Sequence, residues 1–491
     1  MNYSFSIIGA GFSGISAATE LASKGNEVTV FEKNRELGGR ARSFSAEGFR
    51  YDMGPSWYWM PDVFEKYFKR YGKNIHDYLD LKLLDPGFRM IFSDEDYMDV
   101  PANFEDLKAQ FEAIEKGSAS KLESFMKEAE YKYNVGINKL VYKPGLSLLE
   151  LLDIELIQGV FKLDVFKSFD KHVNNNFKDE RLRMLLKFPV LFLGAKPKDT
   201  PALYSLMNYA GLKLGTWYPM GGMSSLVDAM LSLAKDLGVD FKVNESVQSI
   251  STELSQVKKI RTSKSEYFTH GLIAAADYHH VETKILGDFS NYDESYWEKK
   301  TFAPSSLIFY LGVEKKIDKL LHHNLFFDTN FDKHAHDIYD NPNWTEDPLF
   351  YVCAPSKTDP STAPEDKENL FILVPIAAGL EDNENYREEC FEKVIKRLEV
   401  FTKTEIKKHV VFKRSYCVND FKKDYNSYKG NAYGLANTLM QTANLKPKIR
   451  NQKLDNLFYA GQLTVPGPGV PPSLISGQVS ANLLMKKIVE K

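Results

Sequence analysis

Gly9, Gly11 and Gly14 follow the apolar run Ser6-Ile7-Ile8 in G-x-G-x-x-G spacing, and Glu32 stands 21 positions after Gly11. These residue types in this order suit the diphosphate and ribose of a dinucleotide. Gly9 allows the tight turn, Gly11 admits a pyrophosphate to the backbone, and Gly14 lets a helix lie close to a strand. The Glu32 carboxylate can accept both ribose hydroxyls. A carboxylate there opposes a 2′-phosphate, which leaves FAD or NAD rather than NADP.

The elements that must position these residues are legible around them. Residues 6–8 read as a strand, 15–23 as a helix and 27–32 as a second strand ending in the acid. This is a βαβ unit whose helix N-terminus faces the phosphates with free N–H groups. A second diglycine follows in Leu37-Gly38-Gly39-Arg40-Ala41. It resembles the motif of two-dinucleotide-domain flavoproteins such as amine oxidases and carotenoid desaturases. Glycine there lets the loop pass close to a flavin, and Arg40 is placed to face the pyrophosphate. NAD enzymes do not need this second loop, so FAD leads.

At the other end of the chain, residues 456–461 read as a buried strand ending in glycine. A Gly/Pro loop then runs to Pro472, and an apolar helix covers 473–488. A helix N-terminus of this type can face the pyrimidine edge of a reduced flavin, where its dipole stabilises negative charge.

Taken together the motifs resemble the bacterial phytoene desaturase type of carotenoid desaturase, over essentially the whole chain. The marks are Gly9, Gly11 and Gly14 with Glu32, then Gly38-Gly39-Arg40 and Asp52-Met53-Gly54-Pro55-Ser56. Further marks are Trp217-Tyr218-Pro219-Met220-Gly221-Gly222-Met223 and Thr464-x-Pro-Gly-x-Gly-Val-Pro. The Gly461-Gln462 step departs from many members, which carry a small or acidic residue after the glycine. The resemblance implies an α/β fold of three parts. These are a Rossmann-like FAD-binding domain of the two-dinucleotide-binding-domain flavoprotein type, a mixed-sheet substrate domain, and a helical subdomain open to membrane contact. It implies FAD held by Gly9, Ala10, Gly11, Ser13, Gly14, Glu32, Lys33, Gly39, Arg40, Met53, Gly54, Pro55, Ser56, Val247, Ala276, Gly461, Gln462, Val470 and Pro471.

The substrate so implied is a C40 polyene held in membranes, in which CH2–CH2 becomes CH=CH. Hydride leaves an allylic carbon for the flavin and a proton leaves the neighbouring carbon. Placement of the C–H bond in a dry tunnel carries much of the catalysis. No general base is identifiable, and Asp153 and Glu155 read as surface groups. The expected course is phytoene toward lycopene. Competing readings are a 3,4-desaturase of 1-hydroxy carotenoids, a carotenoid isomerase, and a non-enzymatic lipid escort protein on a similar scaffold. No second G-x-G-x-x-G follows, so a membrane quinone or oxygen is the expected electron acceptor.

The organisation expected along the chain is discontinuous. Residues 1–75, 220–300 and 450–491 form the FAD-binding domain, 76–135 and 301–449 the substrate domain, and 136–219 the helical subdomain. Residues 62–130 read as largely helical, broken by Pro86-Gly87 and Pro101. The 136–215 stretch holds twelve basic and eight acidic side chains, a net +4, among dense Leu, Phe and Val. Such a segment suits an anionic membrane surface or a buried helical face, and a polyene substrate favours the membrane.

The 491 residues exceed what one core usually serves. A net charge of -3 gives no nucleic-acid footprint, and the odd set Cys353, Cys390 and Cys417 fits a reducing compartment. There is no signal-like opening segment and no bilayer-length apolar run. The expected location is cytoplasmic, peripherally associated with the inner membrane. The ten histidines include His279-His280, His322-His323 and His334-x-His336. None falls in a metal-ligand pattern, so solvated or capping roles and no metal site are expected.

Overall fold

Strand Ser4–Ile8 is the centre of a five-stranded parallel sheet in the order Leu457–Tyr459, Gly271–Ala274, Ser4–Ile8, Glu27–Phe31, Asp240–Lys242. The computed structural model describes residues 2–146, 164, 167–191 and 194–490. Ile7 and Ile8 are both buried, one on each face. A parallel strand covered on both sides reads in this way as a continuous apolar run. The helix Phe12–Ala22 crosses one face. Its small residues Ala17 and Ala18 let the C-terminal helix Val470–Val489 lie against it. A Cβ at Gly477 would overlap the Ser13 carbonyl oxygen, so these two helices touch backbone to backbone. The chain leaves the central strand to one side and returns on the other, which opens a crevice at the carboxyl ends of the strands.

The second sheet is seven-stranded and mixed. Its order is Val410–Tyr416, Ser305–Val313, Glu368–Ile376, Phe350–Cys353, His323–Phe326, Phe88–Ile91, Tyr97–Val100, antiparallel except where His323–Phe326 meets Phe88–Ile91. Period-two alternation divides its side chains. Leu307, Phe309, Leu311 and Val313 pack under the helix Glu384–Thr402. Ile308, Tyr310, Leu325, Tyr351 and Phe371 point the other way, toward the first sheet. That second face is the one available to build a site.

Three expectations are corrected here. The 62–130 stretch is helical at Pro61–Arg70, Phe104–Ile114 and Ser118–Val135, but forms strands at Leu81–Leu83, Phe88–Ile91 and Tyr97–Val100. Phe88–Ile91 is stabilised by pairing with His323–Phe326, a partner more than two hundred residues away that no local pattern reveals. The helices expected at 15–23 and 473–488 begin earlier, at Phe12 and Val470. Pro471 and Pro472 occupy a first turn, where the missing N–H costs no helical bond. The apolar runs at 147–163, with Asp153 and Glu155, lie outside the described residues. Of the run at 184–193, residues 184–191 belong to the helix Glu180–Leu191, whose Leu182, Leu185, Leu186 and Phe188 are buried in protein, and 192–193 lie outside the described residues.

Candidate functional site

Gly9 turns the chain at φ 96°, a conformation that glycine alone adopts freely, and its N–H donates to Phe31 O. A Cβ on Gly9 would stand 3.1 Å from Ala276 N, so this turn is pressed against the Ala275-Ala276 turn. A Cβ on Gly14 would overlap the Gly9 carbonyl oxygen. Gly11 differs: its Cβ would meet only Gly39 Cα, 4.0 Å away. The two glycine loops therefore face each other across a gap that a branched side chain would fill. Gly11→Val is accordingly expected to abolish FAD binding while leaving the melting temperature of FAD-free protein within about 2 °C of the parent. Flavin absorbance after gel filtration checks this, and full retention of flavin would misplace the cofactor.

The gap opens into a cavity of about 480 Å3, within the usual range for small-molecule sites. Of the residues expected to hold cofactor, Gly9, Gly11, Ser13, Glu32, Lys33, Gly39, Arg40, Met53, Gly54, Pro55, Ser56, Val247, Ala276, Gly461, Gln462, Val470 and Pro471 all line it. Ala10 and Gly14 do not. They sit behind the wall, and the Ala10 N–H donates to Glu32 Oε2 at 3.0 Å. Glu32 Oε1 accepts from Asn34 N at 2.9 Å. The carboxylate is thus fixed by two backbone amides, with lone pairs left for hydroxyl groups.

Arg40 is half-buried at the diglycine loop, with its Nε shut off from solvent. Burial pulls its pKa below the usual guanidinium value, and nearby Tyr425 and Asp277 oppose this. One terminal nitrogen donates to Ser427 Oγ at 3.2 Å and Asn431 O at 3.3 Å. Its Nε has no partner among the described residues. A buried, unpartnered guanidinium N–H beside two glycine loops and an uncapped helix N-terminus fits a diphosphate. Lys33 turns aside, donating from Nζ to Lys423 O at 2.6 Å and Asn426 Oδ1 at 3.0 Å.

Asp52 joins two of the sequence motifs. Its carboxylate accepts from Met223 N at 2.7 Å and Ser224 N at 3.2 Å, which caps the helix Met223–Asp236. Burial raises its pKa to about 6 despite those amides. The next residues, Met53 to Ser56, pass along the cavity wall, with Tyr310 donating to Met53 O at 2.7 Å.

On the opposite side, Gln462 donates to Asn431 Oδ1 at 3.2 Å. The loop after it rests on Lys446 and Pro447: Thr464 donates to Pro447 O at 2.7 Å. Lys446 is buried, with its Nζ donating to Asn437 Oδ1 at 2.9 Å and no carboxylate partner among the described residues. Burial, aided by Lys300, lowers its pKa to about 7. Between there and the ordinary value of 10.5 the unfolded chain holds the extra proton, so this group lets stability rise with pH across that window. Below about pH 7 the burial penalty is complete. Lys446→Met is therefore expected to shift the melting temperature more favourably at pH 6 than at pH 9. Equal shifts at the two pH values would contradict a depressed lysine.

The other half of the cavity was not visible in the motifs. Trp57, Trp59, Phe64, Phe188, Leu325, Phe327, Leu349, Tyr351 and Leu373 wall it, and one face of the helix Phe331–Tyr339 adds Phe331, His334, Ala335, Ile338 and Tyr339. These are ordinary core positions until the sheet order shows which face is inward. The histidines also depart from expectation. His322, His323 and His334 are buried rather than solvated. His334 has both ring nitrogens engaged, Nε2 with Pro375 O at 2.9 Å and Nδ1 with Leu349 N at 3.0 Å. His322, His323 and Cys353 bring ligand-type atoms within 4.8 Å of one another, a grouping made by strand pairing rather than by sequence spacing. The Nδ1 atoms of His322 and His323 bond to Thr358 Oγ1 at 2.7 Å and Tyr351 OH at 2.6 Å.

The family model for flavin-containing amine oxidoreductases matches residues 12–485. A carotenoid 3,4-desaturase of Haloarcula japonica is 39% identical over 484 residues, covering 98% of each chain. A zeta-carotene-forming phytoene desaturase of Myxococcus xanthus is 30% identical over 486 residues, 98% of this chain and 93% of that one. Among solved structures, putrescine oxidase bound to putrescine aligns with TM-score 0.62 at 14% identity, over 99% of both chains. An oxidoreductase of Methanosarcina mazei gives 0.61 at 15%, over 99% of this chain and 100% of that one. At such identities the structural likeness speaks for the fold.

Proposed function

The chain belongs to the flavin-containing amine oxidoreductase family as an FAD-dependent carotenoid desaturase, and from that premise we propose that it desaturates phytoene toward lycopene. The observation that carries this reading is the second half of the cavity, a wall of aromatic and aliphatic side chains leading away from the glycine loops. A hydrocarbon polyene brings no polar group of its own to such walls, and it binds by burial of apolar surface.

FAD supplies two-electron oxidation when bound. The residues proposed to hold it are those of the glycine loops, Glu32 for the ribose, Arg40 for the diphosphate, and the 461–471 loop for the ring edge. The aromatic wall orients the polyene and keeps water out, so that the C–H bond to be broken is presented in one geometry. Reoxidation by a quinone or oxygen, and contact with a membrane surface to collect the substrate, complete the reading. No described helix is long and apolar enough to cross a membrane.

A second reading is favoured by the Haloarcula japonica relative: 3,4-desaturation of a 1-hydroxy carotenoid. One experiment separates the two. FAD-loaded protein is incubated anaerobically with a quinone and liposomes carrying phytoene or a 1-hydroxy carotenoid, and the extracted pigment is examined by absorption. A red shift with phytoene supports the first reading. A shift with the hydroxylated carotenoid alone replaces it with the second, and no shift with either overturns both.

A further inference from the structure

We infer that Tyr351, backed by His323, takes the proton that each desaturation releases. The inference rests on the desaturase activity and not on which carotenoid is used. Tyr351 lies on the inward face of Phe350–Cys353 and lines the cavity. Its hydroxyl is 3.0 Å from Ser56 Oγ and 2.6 Å from His323 Nδ1. Ser56 ends the Met53–Ser56 stretch that runs along the expected cofactor. The Ser56–Tyr351 bond therefore marks the place where the dinucleotide half of the cavity meets the apolar half.

His323 is fully buried on the neighbouring antiparallel strand. Its ring lies flat on Trp57, with centroids 4.0 Å apart and planes at 9°, and Trp57 is itself part of the cavity wall. Its Nε2 has no hydrogen-bond partner among the described residues. A buried polar atom left unpaired calls for an explanation. Burial, followed by neighbouring His322, holds the ring neutral. The short contact then has the tyrosine hydroxyl donating to an unprotonated Nδ1, while the phenol oxygen also meets Ser56 Oγ and the Cys353 thiol.

His334 and three carboxylates of the wall are engaged elsewhere. His334 cannot take a proton on Nδ1 without losing the Leu349 N–H. Glu32, Asp277 and Asp424 sit at the dinucleotide end, bonded to backbone amides or to Arg42.

The desaturation, taken as hydride loss, removes one hydrogen with its electron pair from the allylic carbon, with FAD as oxidant, and leaves a polyene cation. The neighbouring C–H bond breaks and its electron pair becomes the new π bond. That proton binds the Tyr351 oxygen as the tyrosine's own proton passes to His323 Nδ1. A carbocation is so strong an acid that a neutral phenol–imidazole pair suffices. Tyr351 is then the catalytic residue, and His323 acts through it.

The test uses FAD-loaded Tyr351→Phe and His323→Gln, in liposomes carrying whichever carotenoid the parent converts. In the second variant the glutamine side chain would keep an acceptor for the tyrosine but offer no base. Flavin content and melting temperature should match the parent. Turnover should fall about 100-fold in both variants, the lower range for general acid–base catalysis. Deuterium at the proton-losing carbon should slow the variants several-fold more than the parent, and flavin bleaching should outrun the rise of polyene absorbance. Turnover within about 3-fold of the parent would overturn the inference. So would an equal loss with an unchanged isotope effect, or a stoichiometric metal found on His322, His323 and Cys353. Loss of flavin in both variants would also count against it, by making the pair part of the cofactor support. If the parent converts neither carotenoid, it is the functional reading that fails.

Discussion

Gly14→Ala is expected to yield protein without bound FAD, although it adds a single methyl group. That methyl would overlap the Gly9 carbonyl oxygen and stand 3.1 Å from the Gly9 carbonyl carbon. The obstacle is backbone, so no rotamer change relieves it. The helix is hemmed in on an adjoining flank as well, where it meets the C-terminal helix at Gly477 and a Cβ would stand 2.9 Å from Ala17 N. Overpacking of this kind costs roughly 1–3 kcal/mol or more. Here the whole displacement falls on the turn that receives the diphosphate. FAD affinity should drop by at least about 100-fold, at 1.4 kcal/mol per factor of ten, and the melting temperature should fall too. Flavin absorbance after gel filtration and a thermal scan read the two effects. A yellow variant with parental stability would show that the helix and turn are not in contact.

Ala335→Trp is expected to do the reverse, keeping the flavin and ending desaturation. Ala335 sits on the cavity face of the helix Phe331–Tyr339, between His334 and Ile338. An indole there would project into the space assigned to the polyene, far from the glycine loops in sequence and on the other sheet's side of the cavity. Product formation should fall about 100-fold or more, the loss that misplacement of a reacting bond brings. Flavin content should be unchanged. Parental rates would mean that the polyene takes another route. The pair of variants separates the cofactor half of the cavity from the substrate half.

The two halves were unequally legible in the sequence. The cofactor half depends on steric demands that act over a few residues. A turn at Gly9 and a close approach at Gly14 can be met only by glycine, so the spacing itself exposes them. The substrate half has no such constraint. Leu325, Tyr351 and Leu373 are apolar or aromatic residues on strands buried on both faces. Which face is inward follows from the order of seven strands, set by pairings such as His323–Phe326 with Phe88–Ile91. The burial of His322 and His323 is hidden for the same reason: a His-His pair looks solvated until the strand beside it is placed inside a sheet. The mixed sheet and the parallel sheet were both anticipated, because alternating strands and a βαβ start restrict the choice of layers.

The contact between the first and last helices bears on how the protein is made. Ser16 donates to Leu474 O across 458 positions, and Ser476 holds both Gly461 N and Val465 O. The βαβ unit emerges early from the ribosome, but the strands Gly271–Ala274 and Asp240–Lys242 that flank it, the edge strand Leu457–Tyr459 beyond, and the helix that clamps it come later. An apolar helix face and a sheet edge must therefore wait, exposed, through most of translation. Such intermediates are prone to aggregate. Poor recovery of overexpressed protein should respond to slower synthesis and chaperone supply more than to added FAD, since the cofactor has no complete seat until residues 457–489 have been made.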